Sequence, residues 1–106
     1  MLAVAGSANR STSIKVVENG NTVKSVTTNV NYKESVKSLK KILEFSIKLR
    51  PDEPNYEVTQ VFIKADGVYE EITEENIESI RSSLYHNKDI HLKKIFLMVI
   101  LNKYQT

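Results

Sequence analysis

Ile14-Lys-Val-Val-Glu18-Asn-Gly20-Asn-Thr-Val-Lys-Ser-Val26-Thr-Thr-Asn-Val30 holds two runs rich in β-branched residues, joined at Asn19-Gly20. Asn-Gly accepts positive φ at both centres of a tight turn, so the stretch predicts a hairpin with strands over 13–18 and 22–31. In the second strand Val26, Thr28 and Val30 alternate with Thr27 and Asn29, which gives one buried and one wet face. Val23 is out of phase with that set, and a bulge near Lys24-Ser25 would restore it. An opening hairpin also argues against a ferredoxin-like arrangement, which needs a βαβ unit there.

Working outward, the period then changes. Val36, Leu39, Leu43 and Ile47 mark one face of a helix. Asn31, three residues before Glu34, is a candidate capping-box variant, and Arg50-Pro51 ends the helix because the residue before proline avoids the α region. Ile42, Phe45 and Leu49 lie off the main face and suggest a second contact, with the following loop or with a partner.

Residues 57–64 read as a third strand, Ala65-Asp66-Gly67 as a turn and 68–72 as a fourth strand. Thr73 starts a second helix, with Glu74 and Glu75 at its positive end, an Ile72/Ile77 staple and a stripe of Ile77, Ile80 and Leu84. Residues 95–101 are wholly apolar and read as a buried strand, with a helix over 89–103 as the rival. The order ββαββαβ predicts an α+β fold of the ubiquitin-like β-grasp kind, one mixed sheet with a helix packed across it.

Composition fits this picture. The 106 residues suit one domain, placed at 13–106, with 1–12 as a flexible tail. Hydrophobic residues make up 41% and charged residues 26%, as in an ordinary folded protein. The net charge of +2 is too small to argue for nucleic acid or a membrane. With no cysteine, disulfides, thiolate metal sites and cysteine nucleophiles are excluded, and a cytoplasmic home is compatible. The apolar run at 95–101 is far too short for a bilayer.

Chemistry has few footholds. His86, Asp89 and His91 form the one histidine cluster, but a zinc site needs further strong ligands, so a polar loop is the preferred reading. Glu70, Glu71, Glu74, Glu75 and Glu78 form an acidic patch, which reads as a solvated or partner-facing surface rather than as acid–base machinery. The three glycines are scattered, so no phosphate loop can be built. The expectation is a protein that is not an enzyme and needs no cofactor.

Lys33, Lys37, Lys40, Lys41 and Lys48 fall together beside the apolar face of the first helix, with Glu44 among them. Residues 33–50 hold six basic and two acidic side chains, against six acidic and no basic ones over 66–78. A polarised domain of this kind suits docking on an acidic surface through the helix, the plainer alternative being a solvated face.

Ile14-Lys-Val-Val-Glu-Asn-Gly20, Val36-Lys-Ser-Leu-Lys-Lys-Ile-Leu43 and Val58-Thr-Gln-Val-Phe-Ile-Lys-Ala-Asp-Gly67 resemble, over 13–80, the landmarks of doublecortin domains. The family's glycine after the second strand is missing, and residues 86–94 intervene before the last strand. The resemblance implies a non-catalytic, protein-binding module for tubulin, microtubules or a scaffold partner, with Lys37, Lys40, Lys41 and Lys48 as contacts. Two other functions remain open: a small inhibitor or adaptor acting through the acidic patch, and homo-oligomerisation through 95–101.

Overall fold

The computed structural model describes residues 9–48, 50–52, 56–65, 67–86 and 95–103. Its elements are β1 (Asn9–Glu18), β2 (Asn21–Asn31), α1 (Val36–Ile47), β3 (Tyr56–Ala65), β4 (Val68–Glu71), α2 (Ile77–His86) and β5 (Ile95–Lys103). The strands form one mixed sheet in the order β2-β1-β5-β3-β4, in which β1 and β5 run parallel and all other neighbours antiparallel. The chain is thus an α+β protein with a five-stranded sheet and two helices.

The hairpin forms where Asn-Gly directs it: Asn19 and Gly20 take φ of 53° and 80°. Two details differ from expectation. β1 begins at Asn9, so residues 9–12 of the expected tail belong to the sheet and pair with residues 28–31. The bulge falls on Val23, between the Val16–Lys24 and Val17–Thr22 pairs, and Val23 stays exposed rather than rejoining the buried face. Past the bulge, Val26, Thr28 and Val30 face inward as the alternation requires.

All four residues of the α1 stripe are buried, Leu39, Leu43 and Ile47 almost completely. The helix is capped by Ser35, whose hydroxyl accepts from the Ser38 N–H at 3.2 Å. Asn31 does not cap it; its side chain accepts from the Lys33 N–H at 3.0 Å and shapes the turn before the helix. α2 starts at Ile77, later than Thr73, because residues 73–76 form a turn of their own. There Thr73 and Asn76 bond reciprocally: the Thr73 N–H donates to Asn76 Oδ1 at 2.7 Å and the Asn76 N–H to Thr73 Oγ1 at 3.3 Å. This is a capping box with asparagine in the place of glutamate.

β5 is a strand, and it occupies the middle of the sheet between β1 and β3. Both of its edges are hydrogen-bonded, so assembly by strand pairing through residues 95–101 is closed off. Ile95, Leu97, Val99 and Leu101 enter the core beside Ile14, Val16, Val61 and the α1 stripe.

One polar pair lies within this core. Thr12 is fully buried and Tyr32 nearly so, with their hydroxyl oxygens 2.8 Å apart. Thr12 donates to the Arg10 carbonyl at 3.0 Å, which leaves the Tyr32 hydroxyl to donate to Thr12 Oγ1. Thr12→Val strands that donor and is expected to cost about 1–3 kcal/mol, while T12V/Y32F together cost less than the sum of the single changes, as urea unfolding will measure. Burial pushes the Tyr32 phenol well above its ordinary range. The folded protein then keeps a proton that the unfolded chain releases above about pH 10, so stability is full below that pH and falls as pH rises beyond it. Tyr32→Phe flattens that alkaline loss.

Candidate functional site

At about 100° per residue, the buried stripe of α1 has Lys37, Lys40, Lys41, Glu44 and Lys48 on one flank and Ile42 on the other, with Phe45 on the outward back of the helix. Two hydrogen bonds orient these flanks. Glu44 Oε2 accepts from the Val58 N–H at 2.9 Å, which turns the lysine flank toward β3. Lys24 Nζ reaches the Ile47 carbonyl at 2.7 Å, which sets the C-terminal end of α1 over the start of β2. A cation at that end is favoured by the helix dipole.

Lys37 and Lys41 are exposed, Lys40 and Lys48 half-buried, and Lys33 is exposed on the turn before the helix. Glu44 interrupts the stripe less than its position in the sequence suggests, since its side chain is only 18% exposed and bonded to backbone. Lys41 Nζ lies 3.8 Å from it, an exposed i,i+3 pair worth a few tenths of a kcal/mol.

The acidic residues gather at the β4 edge of the sheet, next to β3, on β4, on the following turn and on α2. Glu70, Glu74, Glu75 and Glu78 are exposed and Glu71 is half-buried. Gln60 Nε2 donates to Glu71 at 3.3 Å, and Asn76 Nδ2 donates to the Glu71 carbonyl at 2.7 Å. Glu74 and Glu75 sit in the turn before α2; Glu78 is the acidic residue of its first turn and pairs with Arg81. Asp89, His91 and the His86 side chain lie outside the described residues. Among the described residues no helix is long and apolar enough to cross a membrane.

Sequence reasoning missed the face of the sheet turned away from α1. Phe96, Lys64 and Tyr69 stand side by side there across β5, β3 and β4, as do Met98, Phe62 and Glu71. The Lys64 ammonium lies 5.8 Å from the Tyr69 ring and 6.0 Å from the Phe96 ring, in cation–π range. An unbroken apolar run hides the alternation that would have shown β5 to have a second, half-open face.

The chain matches no protein-family model, and no curated protein and no solved structure shows significant similarity to it.

Proposed function

We propose that this protein is a non-catalytic binding module of the ubiquitin-like β-grasp kind, which docks on an acidic protein surface through Lys33, Lys37, Lys40, Lys41 and Lys48. One observation carries the reading: the apolar stripe of α1 is wholly spent on the core, while Lys37 and Lys41 stand in solvent on a flank whose one carboxylate is bonded to backbone. The sheet order, the parallel β1–β5 pair and the helix across one face support the β-grasp part of it. The doublecortin resemblance names polymerised tubulin as the acidic surface to try first.

Binding of this kind is screened by salt over about 8–10 Å. The wild-type chain is therefore expected to co-sediment with microtubules at about 50 mM salt and to be released by about 300 mM. K37E/K40E/K41E, whose positions are all outside the buried stripe, is expected to lose at least tenfold in affinity while keeping the fold. Undiminished pelleting of that variant would sink the proposal. Exposure of Glu70 and Glu74 favours a second reading, an adaptor that uses the acidic patch; there E70K/E71K/E74K abolishes binding and the helix variant does not.

A further inference from the structure

We propose that two copies of this chain pack face to face through the side of the sheet turned away from α1, as an isologous dimer. The strand registers define what that side carries. Ile14, Val16, Val61, Ile63, Leu97 and Val99 point into the core, so the residues that alternate with them point the other way. Read across β1, β5, β3 and β4, one row is Ser13, Phe96, Lys64 and Tyr69. The next row, about 7 Å along the strands, is Lys15, Met98, Phe62 and Glu71. Ile77 and Leu84 of α2 join the α1 stripe in the core, so both helices serve the opposite side. Phe96 is 46% exposed, and Phe62, Met98 and Ile100 are half-buried, although β5 and β3 are interior strands. An open apolar patch with charges at its rim marks an interaction surface.

The charges identify the occupant as a second copy. Lys15 on β1 and Glu71 on β4 stand at the two ends of one row, with Met98 and Phe62 between them. Gln60 Nε2, donating at 3.3 Å, holds the Glu71 carboxylate on this side. A two-fold axis that runs along the strands between β5 and β3 lays each row reversed over its own copy. Lys15 then faces Glu71 of the second copy and Met98 faces Phe62 of the second copy, and each pairing occurs twice. In the neighbouring row Phe96 faces Lys64 of the second copy. Lys64 already lies 6.0 Å from the Phe96 ring of its own chain, and the second ring extends that contact. It is the residue before the end of β3, so its ammonium keeps to the wet rim of the interface. Moving the axis onto β5 would set Lys15 over Phe62 and Glu71 over Ser25, so the charges select one register. Aligned sheets about 10 Å apart leave room for both sets of side chains. The two α1 helices end on the outer surfaces of the pair, so docking through their lysines becomes bivalent without a new contact.

Sedimentation equilibrium from about 10 µM to about 1 mM tests it. The mass is expected to rise from the 12.1 kDa of one chain to twice that value. Lys15 is exposed, so K15E keeps the fold by circular dichroism. It sets glutamate opposite Glu71 twice and is expected to raise the dissociation constant about tenfold or more. E71K sets lysine opposite lysine with the same result. An equimolar mixture of K15E and E71K restores two opposite-charge pairs and is expected to dimerise where neither variant does alone. Phe96→Ser is expected to weaken the dimer, and Phe45→Ser, on the outward back of α1, to leave it unchanged. A wild-type chain that stays at 12.1 kDa throughout gives the face to some other protein and overturns the proposal. A dimer that survives both K15E and Phe96→Ser overturns it equally, and so does a mixture of the two folded charge variants that stays monomeric.

Discussion

Leu43→Ala is expected to lower the free energy of unfolding by about 2–5 kcal/mol. Leu43 is fully buried in the middle of the α1 stripe, among the side chains that hold the helix to the sheet. Alanine is the better helix former, so intrinsic propensity works against any loss, and whatever is measured reports packing. The site has little freedom to collapse. Ser35 fixes one end of the helix, and the Lys24–Ile47 and Glu44–Val58 bonds fix its height over the sheet. A cavity therefore remains, and its cost adds to the lost transfer energy. Domains of this size commonly have about 5–15 kcal/mol in total, so much of the stability goes with one side chain. Ile42→Ala, one residue earlier and half-buried, is expected to cost less than half as much. Urea unfolding with an unchanged slope is the check, and a Leu43→Ala loss below about 1 kcal/mol would contradict the stripe as the main attachment of the helix.

Arg81→Met is expected to cost about 2–3 kcal/mol. Its side chain, 19% exposed, crosses from α2 to the connection between β2 and α1. Nε donates to the Tyr32 carbonyl at 2.8 Å and Nη2 to the Glu34 carbonyl at 3.0 Å. Those carbonyls lie outside any strand or helix ladder, so removal of the guanidinium leaves part-buried acceptors without their donor. Methionine keeps most of the apolar stem, which confines the change to the polar head. Glu78, the third partner, is 79% exposed, and Glu78→Gln is expected to change stability by a few tenths of a kcal/mol at most. Hydrogen exchange in α2 should accelerate in Arg81→Met before that of β5; equal acceleration in both would mean that Arg81 does not act as a local tether.

Much of this was legible from the residues, and the misses have physical causes. The Asn19-Gly20 turn and the α1 stripe follow from backbone preference and periodicity, which are local, whereas the apolar run 95–101 left a strand and a helix both open until its place as β5 between β1 and β3 decided it. Residues 9–12 are polar and carry no strand signal of their own; they join β1 because residues 28–31 offer them partners. Asn31 and Ser35 were equally able to cap a helix, and the path of the turn decided for Ser35. The lysine arc was visible on a helical wheel, but a wheel does not say which strand it overlooks. That came from Glu44 reaching the Val58 N–H, a contact between residues 14 positions apart. The row that carries Lys15 and Glu71 at its two ends was likewise invisible until the order of the strands was known.

The place of β5 also shapes how the protein comes into being. Thr12 pairs with Ile95 and Val16 with Val99, so the two central strands of the sheet come from distant parts of the chain. On the ribosome the two hairpins can form early, but each waits with a bare apolar flank until the strand that joins them has been synthesised. Such distant closure makes folding slow relative to a helical domain of equal size. Through that interval the nascent chain has the sticky surfaces that chaperones recognise, and the last described strand acts as the keystone that ends the exposure.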